Sequence, residues 1–157
     1  MIGLPEWHPI AVHFPLALVL TGAMALSAAR SRLAGRHAAA LATVGTWNLC
    51  LGAAGAIIAA ATGLAAVVHL KMSPAAHLAV ALHVKWAIFT SVGLVLLAVW
   101  RGAGNAQDSR PTWAFLAVLW MLSAALIVTG YRGGQNVYRY GLGVAEAAGS
   151  GVVLPRQ

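Results

Sequence analysis

Charge is what this chain has least of. Only 8% of its 157 residues are Asp, Glu, Lys or Arg. Soluble domains carry about 25%. Three residues are acidic: Glu6, Asp108 and Glu146. That scarcity leaves a serine–histidine–acid triad without an obvious acid. Hydrolytic zinc chemistry wants an acid/base carboxylate, and only Glu6 stands near the histidines. Cysteine is nearly absent too. Cys50 is the only one, which excludes an internal disulfide and reads as a small packing residue in an apolar run. With four Met and that one Cys, soft copper transport has few ligands. No basic segment precedes the first apolar stretch, so that stretch is expected to be a retained span rather than a signal peptide. No mid-membrane acid or broken helix suggests a transporter.

What is present is apolar. Hydrophobic residues make up 61% of the chain, and the mean hydropathy is +0.81. These values predict an all-α integral membrane protein, a four-helix transmembrane bundle with both termini on the same side. Spans of the roughly 20 residues a bilayer needs are expected at about 9–29, 41–68, 77–100 and 112–131. They form one membrane domain, 1–144, followed by a tail, 145–157. The glycines after Tyr131 argue against helix beyond it. Pro9 fits a first helical turn with His8 as cap, and Pro15 should kink the span one turn in, beside His13. Gly45, Gly52 and Ala59 recur every seven residues, which suits a helix–helix seam, or else clearance for a flat cofactor.

The net charge of +7 would suggest nucleic acid in a soluble chain. Here the positive residues lie in short loops and the tail, so topology and anionic lipid are the better reading, and no nucleic-acid partner is expected. Arg30, Arg32, Arg36, Arg101 and Arg110 follow spans 1 and 3. The positive-inside rule then places those loops in the cytoplasm of a bacterial inner membrane and both termini in the periplasm.

Four spans gather His8, His13, His69, His77 and His83 at one end, with His37 alone at the other. A single histidine in a membrane is ordinarily a hydrogen-bonded polar group. Five from three spans suit haem b, whose iron takes two imidazoles from facing helices. His77 and His83, six residues apart, point about 240° away from each other and cannot share one iron. The favoured pair is His13 with His83, then His13 with His77. A second haem on His8 and His69 with His77 stays open. Lys85, Arg132 and Arg139 are the candidate cations for the propionates, and Lys85 is also open to snorkelling or a quinone contact.

Two motifs carry a family resemblance. His8-Pro9-x-x-Val12-His13-Phe14-Pro15-x-Ala17-Leu18 resembles the opening of the bacterial membrane family called domain of unknown function 2231. So does Gly130-Tyr131-x-Gly133-Gly134-x-x-Val137-Tyr138-x-x-Gly141-x-Gly143-Val144. Thr62-Gly63-Leu64 and His77 match its layout, while Ala65-Ala66 stands where the family often has Asp-Trp. The resemblance implies a four-helix membrane domain found near cytochrome and iron–sulfur modules. The resulting expectation is a membrane b-type cytochrome subunit. It would carry electrons between a periplasmic redox partner, such as a cytochrome, and the quinone pool or other subunits of a respiratory complex. The rival is a cofactor-free anchor or assembly subunit of such a complex. A metal-handling protein using His8, His13 and His69 is a third reading.

Overall fold

The computed structural model describes residues 4–69, 72–103 and 110–143, with the side chains of residues 4–6, 69 and 103 outside that description. The tail 145–157 and most of the polar loop before Pro111 therefore lie outside the described residues. Among the described residues, five α-helices carry the fold: α1 (Leu4–Ala11), α2 (His13–Arg30), α3 (Ala38–His69), α4 (Pro74–Ala103) and α5 (Trp113–Tyr140). Among the described residues there is no strand. Four segments among the described residues are long and apolar enough to cross a membrane: Trp7–Arg30, Arg32–Val68, Pro74–Gly102 and Trp113–Tyr140. Phe14, Ile58, Phe89, Leu96 and Met121 are exposed, as lipid-facing side chains of a small bundle must be.

The first span is two helices. α1 starts well before Pro9, so Pro9 lies inside a helix and His8 is not a cap. The interruption falls at Val12, three residues ahead of Pro15. Pro15 has no N–H to give the carbonyl of Ala11, and the ladder breaks where that partner is missing. The bend is shallow, because Val12 keeps a right-handed helical conformation and its N–H still reaches the carbonyl of His8 at 3.1 Å.

A short 3-10 stretch, Arg32–His37, turns the chain, with Gly35 at a φ of 49°. α3 then runs for 32 residues, about 48 Å at 1.5 Å per residue, and exceeds the hydrocarbon thickness of about 30 Å. α4 begins at Pro74, earlier than the hydropathy suggested. Proline suits a first turn, and the Ser73 hydroxyl caps it by accepting from the Ala76 N–H at 3.3 Å. Thr112 caps α5 through the Phe115 N–H at 3.2 Å. α5 does not stop at Tyr131. It continues to Tyr140 and ends at Gly141, whose φ of 63° favours glycine. Gly130, Gly133 and Gly134 of the C-terminal motif are thus helical, and the expected boundary is corrected by nine residues.

α3 packs against α2, and α1 lies along the same helix; α4 joins α3 to α5, and α5 closes back on α2. Leu26, Leu49, Leu94 and Leu119 are fully buried at the centre. The repeated small residues of α3 form the helix–helix seam. A Cβ at Gly45 would come within 2.6 Å of Leu26, and one at Gly52 within 2.8 Å of Val19. The bundle interior also holds satisfied polar groups, as it must in lipid. Thr90 and Thr129 share a hydrogen bond of 3.3 Å, and Arg101 Nε donates to Thr46 at 3.1 Å.

Candidate functional site

One end of the bundle brings two histidines together. They are His8, on α1, and His83, on α4. Their ring centroids lie 6.5 Å apart, with the planes at 74°. Each ring is held by a backbone carbonyl of a third or fourth helix. His8 Nδ1 lies 3.0 Å from the carbonyl oxygen of Ala59 in α3. His83 Nδ1 lies 3.1 Å from that of Thr129 in α5. A carbonyl only accepts, so both Nδ1 atoms carry the proton in these bonds. Nε2 of each neutral ring is then left with its lone pair.

Local sequence explains the placement. The break at Val12 lets α1 lean on α3, carrying His8 across to Ala59. Thr62 Oγ1 stands 3.4 Å from His8 Nδ1 and donates to the carbonyls of Ile58 and Ala59, both at 3.0 Å. Glycine makes room for both rings. A Cβ at Gly63 would sit 2.8 Å from His8 Cε1, and one at Gly133 would sit 3.1 Å from His83 Cε1. Both glycines belong to the motifs quoted above, as does Thr62.

The structure does not bring His13 to His83. Its ring is exposed, and Nδ1 bonds the carbonyl of Pro9 on its own helix at 2.6 Å. The partner brought to His83 is instead His8. With Leu4 already in α1, the residue read as a surface cap lies inside a helix of the bundle. His77 is exposed at the head of α4, where its N–H bonds the Ser73 carbonyl at 2.9 Å. The side chain of His69 lies outside the described residues. His37 accepts from Arg36 Nε at 3.2 Å at the other end. Lys85 and Arg139 are exposed. Arg132 is half-buried, with its guanidinium 5.8 Å from the Trp86 ring centroid and its Nε buried without a hydrogen-bond partner. Ala59 and Thr129 escape sequence reading because they act through backbone carbonyls. The only written signal for them is the glycine one turn further along each helix.

The donor set can be matched against metal chemistry. Among the described residues no group of three or more His, Cys, Asp or Glu side chains converges. A closed tetrahedral zinc site needs four such ligands. Two imidazoles alone suit a metal whose other positions are filled by a non-protein ligand, as in haem. Each ring also shows the second bond that metal-bound histidines nearly always make, an N–H given to a carbonyl. Two rings flanking one ion at metal–nitrogen bonds of about 2 Å would have centroids roughly 6 Å apart. The observed 6.5 Å is compatible with that spacing. On spacing and donor type, the two residues present are compatible with holding such a group.

Comparison with known proteins gives a family and no function. A family model described as a predicted membrane protein, DUF2231, matches residues 5–146. No curated protein and no solved structure matches the chain significantly.

Proposed function

The chain belongs to the DUF2231 family of predicted membrane proteins, and from that premise we propose that it is a b-type cytochrome subunit with His8 and His83 as axial ligands. One observation carries the reading: two imidazoles from different helices, each with Nδ1–H bound to a backbone carbonyl, meet at one end of the bundle. The carbonyls of Ala59 and Thr129 fix the tautomer and ring orientation and raise the basicity of Nε2. The surrounding apolar helices exclude water and set the dielectric around the pair. Haem, once held there, supplies reversible one-electron transfer. The pair sits at one end of the spans, so the proposed subunit exchanges electrons near one membrane face rather than relaying them across. The partners are a periplasmic redox protein, such as a cytochrome, and the quinone pool or a respiratory complex. The membrane is the bacterial inner membrane, with both termini periplasmic.

The test is a dithionite-reduced minus oxidised spectrum of the purified protein, with a pyridine haemochrome. A haem b α-band is expected. His8→Ala and His83→Ala should each abolish low-spin binding, while His13→Ala should leave it intact. A protein that folds and shows no haemochrome sinks the cytochrome reading. It would leave the pair as an interhelical clamp in a cofactor-free anchor or assembly subunit, since each ring already has one hydrogen bond without a metal.

A further inference from the structure

Beside the histidine pair lies a second feature with unmatched chemistry. A cleft of about 180 Å³ opens between the start of α4 and the end of α5. One wall is apolar and includes Leu78, Ala79 and Leu82. The other is a wall of donors that includes Arg132, Asn136 and Tyr140. Neither His8 nor His83 lines it. Arg132 Nε is buried and makes no hydrogen bond. Asn136 is only 8% exposed and lines the same wall. A buried guanidinium nitrogen left without a bond is costly unless something answers it.

Charge says what the answer is. Arg132 is the cation that lines the cleft, and the chain carries a net charge of +7. An anion answers both its open hydrogen bond and its charge, whereas a neutral acceptor answers only the first. Depth says where it comes from. The apolar part of α5 ends near Tyr131, so Arg132 to Tyr140 stand at headgroup level, with Tyr131, Tyr138 and Tyr140 as the exposed interfacial aromatics. Leu78 is 66% exposed, so the apolar wall continues toward lipid. An acyl chain leaving the cleft has a surface to follow.

We propose that this cleft binds the headgroup phosphate of an anionic membrane phospholipid. Arg132 supplies the charge, Asn136 and Tyr140 supply further donors, and Leu78 and Leu82 hold the first methylenes. The histidine pair does not line this cleft.

The experiment is native mass spectrometry of the intact purified protein titrated with phosphatidylglycerol, phosphatidylcholine or inorganic phosphate. Phosphatidylglycerol is expected to bind at least about fivefold more tightly than phosphatidylcholine, the factor one basic residue is worth at an anionic surface. Arg132→Gln should bring that ratio close to one. Arg132→Lys should keep most of it, and Arg139→Gln, at an exposed arginine of the same face, should leave it unchanged. Circular dichroism and the melting temperature in phosphatidylcholine show that each variant is folded. Three results would each overturn the proposal: equal binding of the two lipids to the wild type, equal loss from Arg132→Gln and Arg139→Gln, or inorganic phosphate binding as tightly as phosphatidylglycerol.

Discussion

His8 and His83 each present one satisfied nitrogen and one free one, and the glycines beneath them keep that geometry. The contact at Gly63 is the tighter. A methyl group there would lie 2.8 Å from His8 Cε1, inside any real van der Waals distance. Gly63→Ala should therefore displace the ring and lengthen its bond to Ala59, at a cost of about 1–3 kcal/mol. Thermal unfolding in detergent measures it. The cause can be isolated by repeating the substitution in a His8→Ala background. There the methyl meets no ring, and the two changes should be clearly less than additive. Additive costs would mean that Gly63 matters for some reason other than His8. At this scale the sequence was half legible. The histidines and motif glycines are visible as residue types. Reading Pro9 as the helix start puts His13 inside the span and His8 at its edge; the longer α1 instead brings His8 to His83.

The same error belongs to the elements. Hydropathy revealed four spans because a bilayer demands a minimum apolar length, and that signal is strong. It could not mark where helices end, since backbone hydrogen bonding continues past the hydrocarbon. Gly133 and Gly134 looked like breakers, yet α5 runs through both. Gly133 is retained for the close approach of His83 and not for a turn. Prolines mark the element that matters most. Pro15 frees the Ala11 carbonyl, and the shallow break at Val12 directs α1 onto α3. Pro15→Ala restores that hydrogen bond and should straighten the span. An interior proline costs a helix about 3 kcal/mol, so the local helix gains while the reach of His8 to Ala59 is lost. The exchange-protected Nδ1 proton of His8, seen by nitrogen-15 NMR, reports which wins. It should vanish in Pro15→Ala and persist in wild type. Persistence in both would show that packing against α3, and not the break, aims the helix.

The whole molecule is a bundle whose two ends differ in kind. One holds the paired histidines, the aromatic side chains of α5 and the amphipathic cleft. The other holds Arg30, Arg32, Arg36, Arg101 and Arg110. Two of these are built into the bundle. Arg101 is 5% exposed and bonded to Thr46, and the Arg30 guanidinium lies 5.2 Å from the Trp113 ring centroid. The three others sit on connections. Arginines near span ends resist translocation, and short loops obey this most strictly, so the arginine-rich end should stay cytoplasmic. Lys71, Arg132, Arg139 and Arg156 belong to the opposite end, four against five, but all four come after the dense first loop in synthesis. Thiol labelling decides the matter. In a Cys50→Ser background, Arg36→Cys and Tyr138→Cys variants place a single thiol at each end. A membrane-impermeant maleimide should label the Tyr138→Cys variant in intact spheroplasts, and the Arg36→Cys variant only after permeabilisation. The reverse pattern would put the histidine end in the cytoplasm. The proposed redox partner would then be sought there, while the His8–His83 pair would stand unchanged, because its geometry does not depend on which face is which.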